Sequence, residues 1–215
     1  MKRKRFLNSL WLLAAFVLWT MAVRFIDVQA IGPEGSRVGF AGINGYFHRL
    51  TGVHWGLYHI TDWLGLVPIF VCMGFGALGV CQWIRRKSIR KVDWDILALG
   101  GFYVVTIGTY LLFEYVVINR RPVLIEGILE ASYPSSTTML TLCVMPTAVM
   151  QLRSRIGNRS LRKVVSFIIV AFTAFMVIGR LISGVHWLTD IAGGGLLSAA
   201  LVTLYRAAVL TWPDP

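Results

Sequence analysis

The segment from residue 180 to residue 190 contains three side chains whose types and spacing could do chemistry. Arg180, His186 and Asp190 lie at the junction of two long apolar stretches. Residues four apart share one face of a helix, so His186 and Asp190 are expected to touch. A histidine oriented by a carboxylate is typical of an activated base or nucleophile. The nearby arginine favours an anionic substrate, most simply a phosphate.

Two further segments carry groups suited to binding an anion. Arg121 and Pro122 follow the third apolar stretch, and Ser135 and Ser136 stand at the start of the fourth. Serine side chains cap helix N-termini, where free backbone N–H groups attract anions. The sequence therefore predicts that Arg121, Arg180 and this helix start converge on one phosphate group.

The composition is that of an integral membrane protein. Of the 215 residues, 56% are hydrophobic and only 14% are charged, whereas soluble domains are roughly a quarter charged. The net charge of +11 does not indicate nucleic-acid binding, because the basic residues form short clusters between apolar stretches. The three cysteines lie inside apolar stretches without metal-ligand spacing, so we expect no disulfide, metal or other cofactor.

Six apolar stretches approach the roughly 20 residues that cross a bilayer as a helix. They cover residues 6–23, 64–84, 96–113, 138–152, 164–182 and 187–205. Segments in lipid must satisfy their own backbone hydrogen bonds and are therefore helical. The sequence predicts an all-α bundle of six transmembrane helices, forming one membrane domain over residues 1–215.

The basic clusters predict the orientation of this bundle. Residues 2–5, 85–91 and 153–163 carry most of the lysine and arginine and would share one side of the membrane. Such clusters face the cytoplasm, which places both termini inside and the loops with Arg121 and His186 outside a plasma membrane. The long outer loop, residues 24–62, is rich in glycine and aromatic residues and predicts a short interfacial helix or lid.

The motifs, taken in order, resemble those of the type 2 phosphatidic acid phosphatase (PAP2) superfamily. The family pattern is Lys-x6-Arg-Pro, then Pro-Ser-Gly-His, then Ser-Arg-x5-His-x3-Asp. This chain matches it with Glu114-x6-Arg121-Pro122, Pro134-Ser135-Ser136-Thr137 and Gly179-Arg180-x5-His186-x3-Asp190. The resemblance covers residues 96–205 as a catalytic core. It implies a phosphatase acting on a membrane lipid phosphate.

The resemblance also implies a role for each matching residue. His186 would be the nucleophile that accepts the phosphoryl group, and Asp190 would hold its imidazole tautomer. The phosphate oxygens would be held by Arg121, Arg180 and the backbone of Ser135 and Ser136. Phosphoryl transfer depends mainly on positioning and charge stabilisation, and the resemblance implies no metal. Family substrates include phosphatidic acid and undecaprenyl pyrophosphate.

Two positions depart from the family pattern. Thr137 replaces the histidine that serves as general acid, a function that contributes about 10²–10⁴-fold. Hydrolysis of a lipid pyrophosphate expels a phosphate monoester, which can leave without an acid, so the sequence favours a prenyl pyrophosphate substrate. A surrogate acid, His54 or His59, is the alternative. Glu114 replaces the family lysine and would either repel the substrate or pair with a neighbouring arginine.

Two other functions remain open from the sequence. A weak or inactive relative that binds or transports lipid phosphates would be consistent with Glu114 and Thr137. A lipid phosphotransferase would use the same His186 chemistry with an acceptor other than water. The intact set of Arg180, His186 and Asp190 favours the hydrolase. The sequence leaves the identity of the lipid and the oligomeric state open.

Overall fold

The computed structural model describes residues 2–211, and this range forms eight α-helices. They are α1 Lys2–Phe25, α2 Ala41–Thr51, α3 Trp55–Leu64, α4 Leu66–Arg86, α5 Trp94–Tyr115, α6 Ser136–Arg155, α7 Arg159–Ile182 and α8 Leu188–Thr211. Within the same residues, β-structure is limited to isolated bridges in loops. The predicted all-α class is confirmed.

Five segments are long and apolar enough to cross a membrane. They are Phe6–Phe25, Trp55–Arg86, Trp94–Tyr115, Arg159–Ile182 and Leu188–Leu210. They correspond to five of the six predicted stretches, to within one residue at the start of the last. The second is longer than predicted because α3 leads almost directly into α4. The sixth prediction, residues 138–152, corresponds to α6, which is a 20-residue helix but less apolar than the other five.

Helix α6 tolerates polar residues because it lies inside the bundle. It packs against α4, α5, α7 and α8, and Thr138, Thr141, Thr147 and Gln151 are all buried. Thr147 donates to the Cys143 carbonyl of its own helix at 2.9 Å, and Gln151 donates to the Asp95 carbonyl of α5 at 3.2 Å. Helix α6 is therefore surrounded by other helices instead of lipid, and its sequence does not have to be fully apolar.

The core of the bundle centres on α8. Helix α1 packs along the length of α8, and α6 packs on another of its sides. Phe16 of α1 stacks on Tyr133 with ring centroids 6.3 Å apart, and Tyr133 also contacts Thr20 through its hydroxyl at 2.7 Å. A side chain on Gly193 of α8 would collide with the Tyr133 ring. Close packing of α1, α8 and Tyr133 thus fixes the end of the bundle that carries His186, here called the site end.

The loop between α5 and α6 is a short hairpin at the site end. An isolated bridge pairs Arg120 with Ala131, and the N–H of Ser132 donates to the Asn119 carbonyl at 3.0 Å. The chain reverses in a two-residue turn formed by Glu126 and Gly127, which have φ angles of 49° and 80°. Positive φ at both positions is the geometry of a tight hairpin turn. This pairing holds Arg121 close to Ser132.

The loop after α1 contains the predicted short helix. Helix α2 is fixed to the start of α8 by Asn44, which donates to the Thr189 hydroxyl at 2.9 Å and accepts from the Thr189 N–H at 3.2 Å. On its other face, Ile43, Tyr46 and Leu50 are exposed. An apolar face beside a polar anchor is typical of a helix that lies at a membrane interface.

Candidate active site

His186 and Asp190 are held at the junction of α7 and α8. His186 precedes α8 by two residues, and Asp190 lies in the first turn of the helix. The Asp190 carboxylate accepts the N–H of Trp187 at 2.9 Å, as an acidic residue does in a capping box. The helix dipole favours an acidic side chain at this position. Capping therefore explains locally why Asp190 turns back towards His186.

The two side chains come together through a third residue, Ser132. His186 Nδ1 lies 3.9 Å from Asp190 Oδ2, which is too long for a hydrogen bond. Ser132 Oγ lies 3.0 Å from that Nδ1 and donates to Oδ2. The prediction that both residues share a helix face is wrong for His186, because α8 begins only at Leu188.

Hydrogen-bond accounting assigns the imidazole tautomer. Asp190 Oδ2 can only accept, so the Ser132 hydroxyl proton points to it. Ser132 Oγ must then accept from His186, which places the ring proton on Nδ1. Nε2 is then the unprotonated nitrogen, and its lone pair accepts a hydrogen bond from Arg121 Nη1 at 3.4 Å. His186 is thus in the tautomer that a nucleophilic Nε2 requires.

Sequence reasoning missed Ser132 and Asn119. Asn119 donates from Nδ2 to Asp190 Oδ1 at 3.3 Å, so both carboxylate oxygens have partners. Ser132 and Asn119 belong to the hairpin and lie outside the three motifs. Asn119 is 71 residues from Asp190 in the chain, and no local pattern marks it. Only the presence of small polar residues near Arg121-Pro122 could have pointed to them.

Burial keeps the His186 imidazole neutral. Its side chain is 1% exposed. Desolvation lowers the pKa of His186 well below its usual value, and the positive charges of Arg121 and Arg180 lower it further. A neutral ring retains the Nε2 lone pair at physiological pH, as nucleophilic attack requires.

The pH dependence of activity follows from this lowered pKa. Protonation of Nε2 would remove the nucleophile, and a lowered pKa means that protonation needs a lower pH. We expect kcat/KM, which reports the free enzyme, to stay level as pH falls through 6.5 and to decline only below it. A pH profile of phosphate release measures this. An acid limb at or above 6.5 would contradict a desolvated His186.

Arg121 lies beside His186 and is paired with an acidic residue. Its Nε lies 2.9 Å from Glu130 Oε2, an ion pair without the alignment of a hydrogen bond. Arg120 donates instead to the Leu129 carbonyl at 2.8 Å. Glu114 forms no ion pair within residues 2–211, so the alternative in which it pairs with Arg120 or Arg121 is wrong; the acidic partner of Arg121 is Glu130. An incoming phosphate would compete with Glu130 for Arg121.

Arg180 is buried on the other side of the α6 N-terminus. Its side chain is 2% exposed, and Nη2 lies 3.1 Å from Asp62 Oδ1. The same nitrogen donates to Thr137 Oγ1 at 2.9 Å, and the guanidinium lies 5.0 Å from the centre of the Tyr58 ring. Thr137, at the position of the family's general acid, therefore accepts a hydrogen bond from Arg180.

A cavity of about 440 Å³ opens next to His186. Its polar wall contains His186, Arg121, Ser132, Ser136, Glu114 and Glu130. Arg180 and Ser135 do not line it, so the structure brings only part of the predicted phosphate site to this cavity. Ser135 is fully buried, and its N–H donates to the Asp190 carbonyl at 3.1 Å, which stabilises the junction between α6 and α8.

The two histidines considered as surrogate acids lie outside this cavity. His54 is exposed and its Nε2 lies 2.8 Å from the Thr51 carbonyl. His59 is also exposed, and its ring is tilted against that of Tyr58 with centroids 5.1 Å apart. Within residues 2–211, the structure also contains no group of three or more His, Cys, Asp or Glu side chains placed to hold a metal.

The sequence Gly-Val-His-Trp occurs at residues 52–55 and again at residues 184–187, and the two loops that carry these copies are in backbone contact. Gly184 has φ +70, and a Cβ there would lie 1.9 Å from the Gly52 carbonyl oxygen. His54 N–H donates to the Ser183 carbonyl at 3.0 Å, and His48 Nε2 lies 3.1 Å from the Gly184 carbonyl. The first copy therefore supports the loop that carries His186, and only glycine fits at position 184.

Fold and site together define a polytopic helical membrane protein with a buried, hydrogen-bonded histidine beside an arginine-lined cavity. Residues 102–213 match the model of the PAP2 superfamily. The chain is 30% identical over 164 residues to phosphatidylglycerophosphatase B of Bacillus subtilis (strain 168), covering 73% of this chain and 74% of that protein. The chain belongs to the PAP2 superfamily.

A solved structure has the same fold. The crystal structure described as the first transmembrane PAP2-type phosphatidylglycerolphosphate phosphatase from Bacillus subtilis superposes with a TM-score of 0.60. The match covers 92% of this chain and 94% of that chain at 19% sequence identity. The family assignment confirms the predicted enzyme class, a membrane phosphatase of the PAP2 type.

Proposed function

We propose that this protein is a lipid phosphatase of the plasma membrane, with its active site on the outer face and a phospho-His186 intermediate. The observation that carries the proposal is the neutral, buried His186 at the cavity wall, whose unprotonated Nε2 accepts a hydrogen bond from Arg121. The basic clusters on the opposite loops support the outward orientation. The named activity of the Bacillus subtilis relative supports a lipid phosphate as substrate.

An apolar groove supports a lipid substrate as well. A groove of about 470 Å³ between α4 and α5 is lined by Leu66, Ile69 and Ile107, among others. It meets the His186 cavity at Tyr110 and Ser136, which line both. A substrate with a phosphate in the polar cavity could therefore extend its hydrocarbon chain into the groove.

The proposed reaction has two steps, formation of a phosphohistidine and its hydrolysis. His186 Nε2 attacks the terminal phosphorus while the bond from that phosphorus to the leaving oxygen breaks, and this oxygen takes the bonding electrons. The leaving oxygen is the bridging oxygen of a pyrophosphate, which departs as the lipid monophosphate, or the ester oxygen of a lipid monophosphate. The imidazole becomes cationic, and its Nδ1 proton stays hydrogen-bonded to Ser132 and through it to Asp190. Water then attacks phosphorus, the N–P bond breaks, and His186 returns to its neutral form with release of phosphate.

The leaving group selects the substrate class. An alkoxide has a conjugate acid with a pKa of about 16 and needs a general acid. A phosphate monoester has a pKa of about 6 and leaves without one. Thr137 cannot supply a proton at a useful pKa, and its oxygen already accepts from Arg180. We therefore favour a prenyl pyrophosphate, such as undecaprenyl pyrophosphate, over phosphatidic acid.

Replacing Thr137 by histidine tests this preference. We expect the purified wild-type protein to release phosphate from a prenyl pyrophosphate at least about 10²-fold faster than from phosphatidic acid, because only the latter needs an acid. Thr137→His should raise the rate on phosphatidic acid and change the pyrophosphate rate little. Thr137→Gln is the matched control, of similar size but unable to donate an acidic proton. Equal wild-type rates on both lipids would contradict the preference.

A second candidate, binding of lipid phosphates without turnover, is favoured by the ion pairs in the site. Arg121 is paired with Glu130, and Arg180 with Asp62, so both arginines are partly neutralised before a phosphate arrives. Glu114 adds a further negative charge to the cavity wall. Saturable binding of a lipid phosphate with no His186-dependent phosphate release would support this candidate over the phosphatase.

A further inference from the structure

A second polar cavity lies at the site end, next to Asn119. It has a volume of about 440 Å³, and its wall includes Arg24, Arg37 and Asn119 together with Val23, Phe25 and Val28. None of its lining residues also lines the His186 cavity. It is therefore separate from the His186 cavity. Asn119 connects it to the candidate active site, because the Asn119 side chain donates to Asp190.

The charge of this cavity favours an anion. Arg24 lies in the last turn of α1 and Arg37 in the loop that follows, and both side chains are exposed. The ion pairs found among residues 2–211 include neither arginine. The nearby Asp27 carboxylate is instead bound to the Gly42 N–H at 2.7 Å. Two guanidinium groups without an acidic partner match a phosphate.

The surface of α1 indicates that this phosphate belongs to a lipid. Leu18, Met21 and Phe25 follow one another at helical spacing, and each is at least half exposed. Phe25 also lines the cavity, so the apolar stripe leads directly to it. A hydrocarbon chain lying on this stripe would bring an attached headgroup to Arg24 and Arg37 at the depth of the membrane interface.

We propose that the cavity of Arg24 and Arg37 binds the headgroup of an anionic phospholipid that is a resident ligand and not the substrate. Asn119 Oδ1 lies 3.4 Å from the Gly39 N–H, and Gly39 also lines the cavity. A bound headgroup thus holds the loop after α1 against Asn119. In this way the lipid stabilises the position of Asn119, whose Nδ2 donates a hydrogen bond to Asp190.

Lipid binding to the purified full-length protein tests the proposal. The protein is prepared in mixed micelles of phosphatidylcholine with a minor fraction of phosphatidylserine, and native mass spectrometry measures the population that retains phosphatidylserine. We expect Arg24→Gln and Arg37→Gln each to lower that population about fivefold relative to wild type, from the usual contribution of one arginine near a headgroup. In wild type but not in the double variant, phosphatidylserine should also raise the Tm.

Two controls make the result specific. Arg49→Gln removes an exposed arginine of α2 that does not line the cavity, and it should bind phosphatidylserine as wild type does. Arg121→Gln, which removes the arginine beside His186, should also retain binding, which separates this site from the phosphatase site. Wild-type binding by the double variant, or an equal loss in Arg49→Gln, would overturn the proposal. Displacement of the lipid by inorganic phosphate at millimolar concentration would instead indicate a free-anion site and overturn the assignment to a lipid.

Discussion

Replacing His186 by alanine is expected to reduce phosphate release by a factor on the order of 10⁴ or more, the largest loss of any substitution in this chain. The variant lacks the atom that accepts the phosphoryl group, so the two-step route is closed, and removal of a nucleophile typically has effects of this size. Initial rates of phosphate release from a prenyl pyrophosphate in detergent measure the loss.

His59→Ala is the matched control for this experiment. His59 is exposed and lies outside the His186 cavity, so its removal should leave the rate within about twofold, as for surface substitutions away from the site. Acid-labile, alkali-stable radioactivity on wild-type protein after brief reaction with labelled substrate would identify the phosphohistidine. A His186→Ala variant that is folded and retains a substantial fraction of the activity would contradict the covalent mechanism.

Replacing Asp190 by asparagine is expected to lower kcat by about 10²–10⁴-fold with little change in KM. An amide NH₂ facing Ser132 would donate to its hydroxyl, so the hydroxyl proton would turn to His186 Nδ1. The ring proton would then move to Nε2 and block the nucleophile. A wrong tautomer behind an intact geometry has this kind of effect in the serine protease triad.

Comparing Ser132→Ala with Asp190→Asn separates the orientation of the His186 ring from the charge of the Asp190 carboxylate. Ser132→Ala removes the bridge but leaves the buried carboxylate, and we expect a smaller loss than in Asp190→Asn. Because both residues act on the same nitrogen, the double variant should be about as slow as Asp190→Asn alone. Additive losses would mean that Asp190 does not act through Ser132. Steady-state kinetics with thermal unfolding of each variant distinguish these outcomes from loss of the fold.

The helices and the reactive histidine were predictable from the sequence because their signals are local. A membrane-spanning helix is recognisable in a sequence as about 20 consecutive apolar residues. Five of the six predicted stretches correspond to segments able to cross a membrane. Helix α6 gave a weaker signal, since its surroundings are other helices. The three motifs in order, with Arg180-x5-His186-x3-Asp190 the best preserved, indicated the family, and the match over residues 102–213 confirms it.

The hydrogen bonds that orient these groups were decided by the tertiary structure. Ser132 is 54 residues from His186 in the chain, and Asp62 is 118 residues from Arg180. Such partners are set by how the hairpin and α3 pack on the ends of α7 and α8, and a linear pattern carries no information about that packing. The sequence alone therefore determined which groups can do chemistry. Packing decided which of them face the cavity, because a buried polar side chain must take whatever partner the neighbouring elements bring within reach.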